Sequence, residues 1–261
     1  MIKFFKKILS KVQHFKVKNY IQKNEKVFEK DGKIIKYLYC SNSNSKNLAV
    51  IFSAFPDANK GAGYNMVSTF MDIKINKLFI LDEFGYQKRG AYYLSENGDY
   101  YIPPLVNELL KKYTSDMDKV CFLGSSKGGT AALYFGLTTD GVDLILSGAP
   151  QYYIGDYLTC KPEHYSILDA MAGSHSETAV NEYNKILPTV VNECKLNRKP
   201  KVLIHYSKSE PTYEHHIKSL INDLIKNKFE IMEDIEEYTL HSDVAKYFPQ
   251  LCKKYLKNME E

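Results

Sequence analysis

The chain has 261 residues, enough for one large α/β domain with a real core. Hydrophobic residues make up 44% and charged residues 25%, the balance of an ordinary globular protein. A net charge of +4 is too mild to argue for a nucleic-acid partner, and the five cysteines are odd in number with no C-x-x-C pair, which argues against a disulfide framework or a zinc site. Reduced thiols fit a cytoplasmic protein.

The chain opens with MIKFFKKILSKVQHFKVKNYIQK. Lys6, Lys7 and Lys11 break every apolar run, so this is neither a secretory signal nor a membrane span. Phe4, Phe5, Ile8, Leu9, Val12 and Phe15 fall on one helical face, with lysines opposite. Residues 1–30 are therefore expected to form a basic amphipathic helix, lying on an anionic membrane surface or packed on the domain or a partner subunit.

Residues 31–261 read as the main domain. Strands are expected over Lys33–Cys40, Asn47–Phe55, Lys77–Asp82, Lys119–Leu123, Val142–Leu146, Lys201–Tyr206 and Phe229–Leu240. Helices are expected over Tyr64–Ile75, Pro103–Tyr113, Lys127–Leu137, Tyr213–Lys226 and Asp243–Leu256. Asn97-Gly98, between two Tyr-rich runs, is a hairpin signal. Short apolar strands alternating with helices imply βαβ units and a mostly parallel sheet in three layers. Residues 151–196, irregular with helical pieces, form an insertion placed as a lid.

The chemical signal is Gly124-Ser125-Ser126-Lys127-Gly128, a G-x-S-x-G pentapeptide. An apolar strand runs into it and an Ala-rich helix runs out. That strand–turn–helix is the nucleophile elbow of the α/β-hydrolase fold, which exposes Ser126 at the positive end of a helix. A phosphate-binding loop fits less well, because neither G-x-x-x-x-G-K-[ST] nor G-x-G-x-x-G is present.

A serine nucleophile needs a base, and in this fold the order is Ser, acid, His. Of the seven histidines, His164 and His175 lie in the insertion, His205 in a strand, and His215 and His216 on a helix. His241, after the last strand and before the last helix, has the required position. Glu210 is the carboxylate of the loop after Lys201–Tyr206; Glu214, already in the helix, and Asp243, beside His241, are its competitors. The oxyanion donors are the backbone N–H of Lys127 and that of Phe55 or Ala54, Pro56 having none; Phe55 is favoured. Lys60, Lys88, Arg89 and Lys127 are available to attract an anionic substrate, or are ordinary surface charges.

The segments FSAFPDANKGAGYN, RGAYYL, LGSSKGG and SKSEPTY resemble capsule O-acetyltransferases of the meningococcal serogroup A type. They also resemble the acetyltransferase-like component of the accessory secretion system for serine-rich glycoproteins. The likeness covers most of residues 34–258 but not the basic N-terminus. It implies an α/β-hydrolase fold and acetyl transfer from acetyl-CoA, as co-substrate with no bound cofactor or metal, to a hydroxyl of a bacterial surface polysaccharide. Ser126, Glu210 and His241 match its triad, and Phe55 and Lys127 its oxyanion positions. The capsule enzyme has Asp where Glu210 stands; the secretion-system relatives have Glu. A serine hydrolase of acylated glycans, and a non-catalytic scaffold in glycan assembly, are the rival expectations. Partners expected are acetyl-CoA, the polysaccharide, and a membrane-associated capsule assembly complex met through the N-terminal helix, with Arg89 and Lys60 as substrate contacts.

Overall fold

The computed structural model describes residues 12, 15–56 and 60–260. Among these, one eight-stranded sheet organises the chain. Its strands are β1 (Glu25–Lys30), β2 (Lys33–Cys40), β3 (Asn47–Phe52), β4 (Asn76–Ile80), β5 (Lys119–Ser125), β6 (Leu144–Gly148), β7 (Lys201–Tyr206) and β8 (Ile231–Ile235). The order across the sheet is β1-β2-β4-β3-β5-β6-β7-β8. The pairings β1/β2 and β2/β4 are antiparallel, and the others are parallel.

The inner strands β3 to β7 are largely apolar because both faces are covered, whereas the edge strands β1 and β8 carry charged residues. In β3, Leu48, Val50 and Phe52 face one core and Ala49 and Ile51 the other; in β5, Val120 and Phe122 oppose Cys121 and Leu123. The first core is covered by α3 (Ile102–Thr114), α4 (Lys127–Gly136), α6 (Pro162–Ala172), α7 (Glu177–Asn192) and α8 (Lys218–Lys226). The second is covered by α2 (Val67–Phe70) and α9 (Val244–Asn258), whose Phe248, Cys252 and Leu256 are buried. With α5 (Ile154–Thr159), α6 and α7 form the insertion expected between β6 and β7.

Several boundaries differ from expectation. The N-terminal helix does not reach residue 30. Residues 15–24 form helix α1, and Glu25–Lys30 is a strand joined to β2 by a tight turn at Asp31 (φ 52°) and Gly32 (φ 73°). That pair of positive φ values is what an Asp-Gly hairpin turn requires. Val17, Tyr20 and Ile21 of α1 pack against the second core, so this part of the segment packs on the domain. Phe4, Phe5, Ile8 and Leu9 lie outside the described residues.

The helix expected over 64–75 is only four residues long. Met66 starts it in the left-handed region (φ 59°), and Ile73 and Ile75 already follow the descent into β4. The last strand, expected over Phe229–Leu240, spans only Ile231–Ile235, at the sheet edge, and residues 236–240 are loop. The Asn97-Gly98 turn forms, but it is closed by a single bridge, Glu96 to Asp99. Tyr92 and Tyr93 take left-handed backbone instead of a strand (φ 54° and 58°). The Ala91 and Tyr93 N–H groups donate to the Asp82 carboxylate, so they are not available to a strand ladder. Among the described residues no helix is long and apolar enough to cross a membrane.

Candidate active site

Strand β5 ends at Ser125, and α4 begins at Lys127. Ser126, between them, has φ 53° and ψ −126°, a conformation side-chain-bearing residues avoid. The surroundings enforce it. A Cβ on Gly124 would lie 2.3 Å from the Gly128 carbonyl oxygen, and one on Gly128 would lie 2.4 Å from that of Phe52. Strand and helix can approach this closely only where both residues lack a side chain. The Ser126 N–H donates to the Gly148 carbonyl at 2.7 Å, which ties the turn to β6.

Three residues remote in sequence meet here. His241 Nε2 lies 2.8 Å from Ser126 Oγ, and His241 Nδ1 lies 2.5 Å from Glu210 Oε1. The Thr212 hydroxyl also donates to Glu210 Oε1, and it stands 3.4 Å from His241 Nδ1. Glu210 is 2% exposed, so its carboxylate acts on the imidazole with little screening by water. Its competitors are engaged elsewhere: Glu214 pairs with Lys218, and Asp243 with Lys246.

The oxyanion expectation is sharpened by one bond. The Ala54 N–H donates to Asn65 Oδ1 at 2.7 Å, which leaves Phe55 as the candidate donor in that turn. The Lys127 N–H is at the first turn of α4, where backbone donors have no partner inside the helix.

A cavity of about 370 Å³ opens beside the histidine, lined among others by Tyr157, His164, Glu210, Thr212, His216 and His241. Tyr157 forms part of its wall. Its ring lies near those of Phe55, His164, His216 and His241. Burial pushes the Tyr157 hydroxyl up to about 12, so it stays protonated. Burial, with His215 nearby, pushes His216 down to about 4; its Nδ1 accepts the Tyr153 N–H at 3.3 Å. His216 is therefore a neutral imidazole in the wall. Burial also lowers His164.

The basic residues divide. Arg89 is half-buried, acts electrostatically on Tyr157 and His164, and buries its Nε without a hydrogen-bond partner. Lys60 is exposed and lines a separate cavity of about 210 Å³ with Phe55, Pro56 and Tyr64. Lys88 is exposed. The Lys127 side chain corrects the expectation of a surface or substrate-attracting charge: it is wholly buried and lies 2.6 Å from Asp82. His175 pairs with Asp169 on the surface, and His205 is held inside β7 by Asp234 at 2.6 Å. Among the described residues no group of three His, Cys, Asp or Glu side chains could hold a metal ion.

A scan against protein-family models finds no match. A search of curated proteins finds no relative. Solved structures do match. The capsule O-acetyltransferase of Neisseria meningitidis serogroup A superposes with a TM-score of 0.74 at 22% identity, over 89% of this chain and 94% of that one. A histidine-to-alanine mutant of the same enzyme, in complex with CoA, gives 0.73 at 23% over the same shares. A fluorophosphonate-binding serine hydrolase of Staphylococcus aureus gives 0.60 at 13%, over 91% and 97%. The glycosylation-associated protein complex of Streptococcus agalactiae gives 0.70 at 16%, over 90% of this chain but 47% of that one.

The fold is that of the α/β-hydrolases. Ser126 stands between β5 and α4, Glu210 follows β7 and His241 follows β8, the places where an α/β-hydrolase fold can carry a nucleophile, an acid and a histidine. The structure brings Ser126, His241 and Glu210, the residues that this ordering picks out, into one chain of contacts. Gln151 was missed. It is wholly buried just after β6, and its side-chain Nε2 lies 3.0 Å from Ser126 Oγ. The only advance signal was its place just beyond the strand neighbouring the elbow strand. Asp82 was also missed, hidden as the last polar residue of an apolar run.

Proposed function

We propose that the protein is a serine-dependent O-acetyltransferase that moves an acetyl group from acetyl-CoA to a hydroxyl of a bacterial capsular polysaccharide. The observation that carries this reading is the continuous contact from Ser126 Oγ through His241 to buried Glu210, in a fold like that of a capsule O-acetyltransferase. A structure of that relative in complex with CoA supports acetyl-CoA as the donor.

His241 Nε2 takes the Ser126 proton as Oγ attacks the thioester carbon. The carbonyl oxygen becomes an oxyanion held by the Phe55 and Lys127 N–H groups. The C–S bond breaks, the proton passes to the thiolate, and CoA leaves with Ser126 acetylated. A sugar hydroxyl then gives its proton to His241 and attacks the acetyl carbon, and Oγ leaves with the proton. Glu210 holds the imidazole in the tautomer that keeps Nε2 free to accept, and stabilises the imidazolium. Tyr157 and the neutral His216 line the cavity beside His241, and that cavity receives the acceptor in the proposed reaction. Arg89, beside Tyr157, and Lys60, behind Phe55, meet the anionic groups of donor or polymer. The N-terminal segment docks the enzyme on the inner face of the membrane, at the capsule assembly complex.

The test is to incubate the purified full chain with acetyl-CoA and a panel of capsular polysaccharides. Free CoA and polymer mass are then followed. Acetyl-CoA consumption that requires polymer, with acetyl gained by the polymer, is the expected result. Consumption at the same rate without polymer makes the protein a hydrolase, and no consumption by wild type or Ser126→Ala leaves the scaffold reading standing.

A further inference from the structure

The relay of Ser126, His241 and Glu210 makes no use of Gln151, yet Gln151 touches the reacting atom. Its Nε2 donates to Ser126 Oγ at 3.0 Å, the oxygen that His241 Nε2 meets at 2.8 Å. A serine hydroxyl has one proton and two lone pairs. The proton goes to His241 and one lone pair accepts from Gln151. The second lone pair remains for an acyl carbon.

The Gln151 amide is held so that it cannot turn round. Its Oε1 accepts from the Tyr92 hydroxyl at 3.3 Å, and Nε2 also faces the Ala149 carbonyl at 3.5 Å. A flipped amide would set oxygen against that carbonyl. The backbone is fixed as well: Gln151 N–H donates to Thr130 Oγ1 at 2.9 Å, and Thr130 Oγ1 donates to the Gln151 carbonyl at 3.0 Å. Tyr92 sits in the left-handed turn whose Ala91 and Tyr93 N–H groups bind Asp82. Asp82 in turn holds Lys127, the residue after the serine. Elbow and amide are thus anchored to one buried carboxylate.

With Ser126 taken as the nucleophile, as proposed above, we propose that Gln151 is a catalytic residue whose side-chain N–H stabilises negative charge developing on Ser126 Oγ. The charge develops as the proton leaves for His241, and again when Oγ is expelled from the acyl-enzyme. The donor is in place before the charge appears, so no dipole has to reorient at the moment of reaction. Tyr92 is a positioning residue that acts through Gln151.

The test measures the rate at which a fluorophosphonate probe labels the purified full chain, a step that needs neither acetyl-CoA nor an acceptor. Wild type should be labelled at Ser126, and Gln151→Met about 10- to 100-fold more slowly, the range for a hydrogen bond to a charged group. Tyr92→Phe should slow labelling less, and should add nothing in the Gln151→Met background, because its route runs through the amide. An unlabelled wild type removes the nucleophile and with it this role. Labelling of wild type and folded Gln151→Met at equal rates overturns the role of Gln151 alone. If Gln151→Met fails to fold, a wild-type labelling rate in folded Tyr92→Phe overturns it as well.

Discussion

The Lys127 ammonium lies 2.6 Å from the Asp82 carboxylate, and neither side chain is exposed to water. Burial lowers the pKa of Lys127, and Asp82 opposes that shift. Asp82 also accepts the Ala91 and Tyr93 N–H groups, and Gly90 leaves the space: a Cβ there would fall 2.5 Å from the Lys127 Nζ. Removing one charge strands the other in the core. Lys127→Met is expected to destabilise the chain by about 3–5 kcal/mol in urea unfolding. Adding Asp82→Asn should recover part of that loss, because a neutral amide needs no cation and still accepts a backbone N–H. A double variant less stable than Lys127→Met alone would contradict the pairing.

Strain at the elbow separates activity from stability. Ser126 holds φ 53° because Gly124 and Gly128 bring strand and helix into contact around it. A residue with a Cβ held there costs on the order of 1–3 kcal/mol. Ser126→Ala and Ser126→Gly should both lose activity. Ser126→Gly should nonetheless melt at the higher temperature, since glycine adopts positive φ without the Cβ penalty. Thermal melts of the two variants side by side decide it.

The central strands were legible because burial on both faces turns them into unbroken apolar runs, as in β3 and β5. The contacts of His241 with Ser126 and Glu210 were legible because the fold's topology orders these three residues along the chain. What escaped was polar chemistry with no local pattern. The Gln151 contact with Ser126 spans 25 residues, and the Lys127 contact with Asp82 spans 45. Nothing in either neighbourhood announces a partner. Lys127 was misplaced because lysine is almost never fully buried unless paired, and its pair was invisible. The β1–β2 hairpin is a different failure: the Asp31-Gly32 signal was present, but the lysine-rich amphipathic pattern before it favoured a longer helix.

That hairpin gives a clean test of backbone conformation. Gly32 has φ 73°, and a Cβ added to it would meet nothing within 4 Å. Gly32→Ala therefore perturbs only the turn. It is expected to cost about 1 kcal/mol, the penalty of a left-handed conformation. Gly141→Ala is the matched control, with φ 82° and equally open surroundings. Urea unfolding should show similar losses in both. Faster amide exchange in Glu25–Lys30 should appear only with Gly32→Ala, because the Asp31-Gly32 turn joins β1 to β2 whereas Gly141 lies far from this pair in the chain.

Glu210 Oε1 accepts from both Thr212 and His241, and the residue is buried. Glu210→Gln keeps the shape but can present an N–H to the imidazole, which favours the wrong tautomer. Acetyl transfer by this variant is expected to fall about 10³- to 10⁴-fold in kcat with a similar KM. Thr212→Val removes one hydroxyl from the same oxygen and should cost about tenfold or less. Steady-state kinetics with acetyl-CoA and the accepted polymer separates the two. A Glu210→Gln enzyme within tenfold of wild type would remove Glu210 from the relay.

His216 predicts how the fold responds to acid. Burial, helped by His215, takes it from an ordinary 6.5 to about 4 in the folded chain, with Asp156, His241 and Glu210 also facing it. Its Nδ1 already accepts the Tyr153 N–H, which a protonated ring could not do. Between those two values the unfolded chain binds a proton that the folded chain refuses, so acidification favours unfolding. The contribution is whole above pH 6.5 and is lost as the pH falls towards 4; at 1.36 kcal/mol per unit it amounts to a few kcal/mol. His216→Asn keeps an acceptor for the Tyr153 N–H and does not titrate. Its stability should fall less than that of wild type between pH 7.5 and pH 5 in urea unfolding. His164, also lowered by burial, stays in both proteins and cancels in the comparison. Equal losses in wild type and His216→Asn would mean that the His216 imidazole takes up its proton in the folded chain as readily as in the unfolded one.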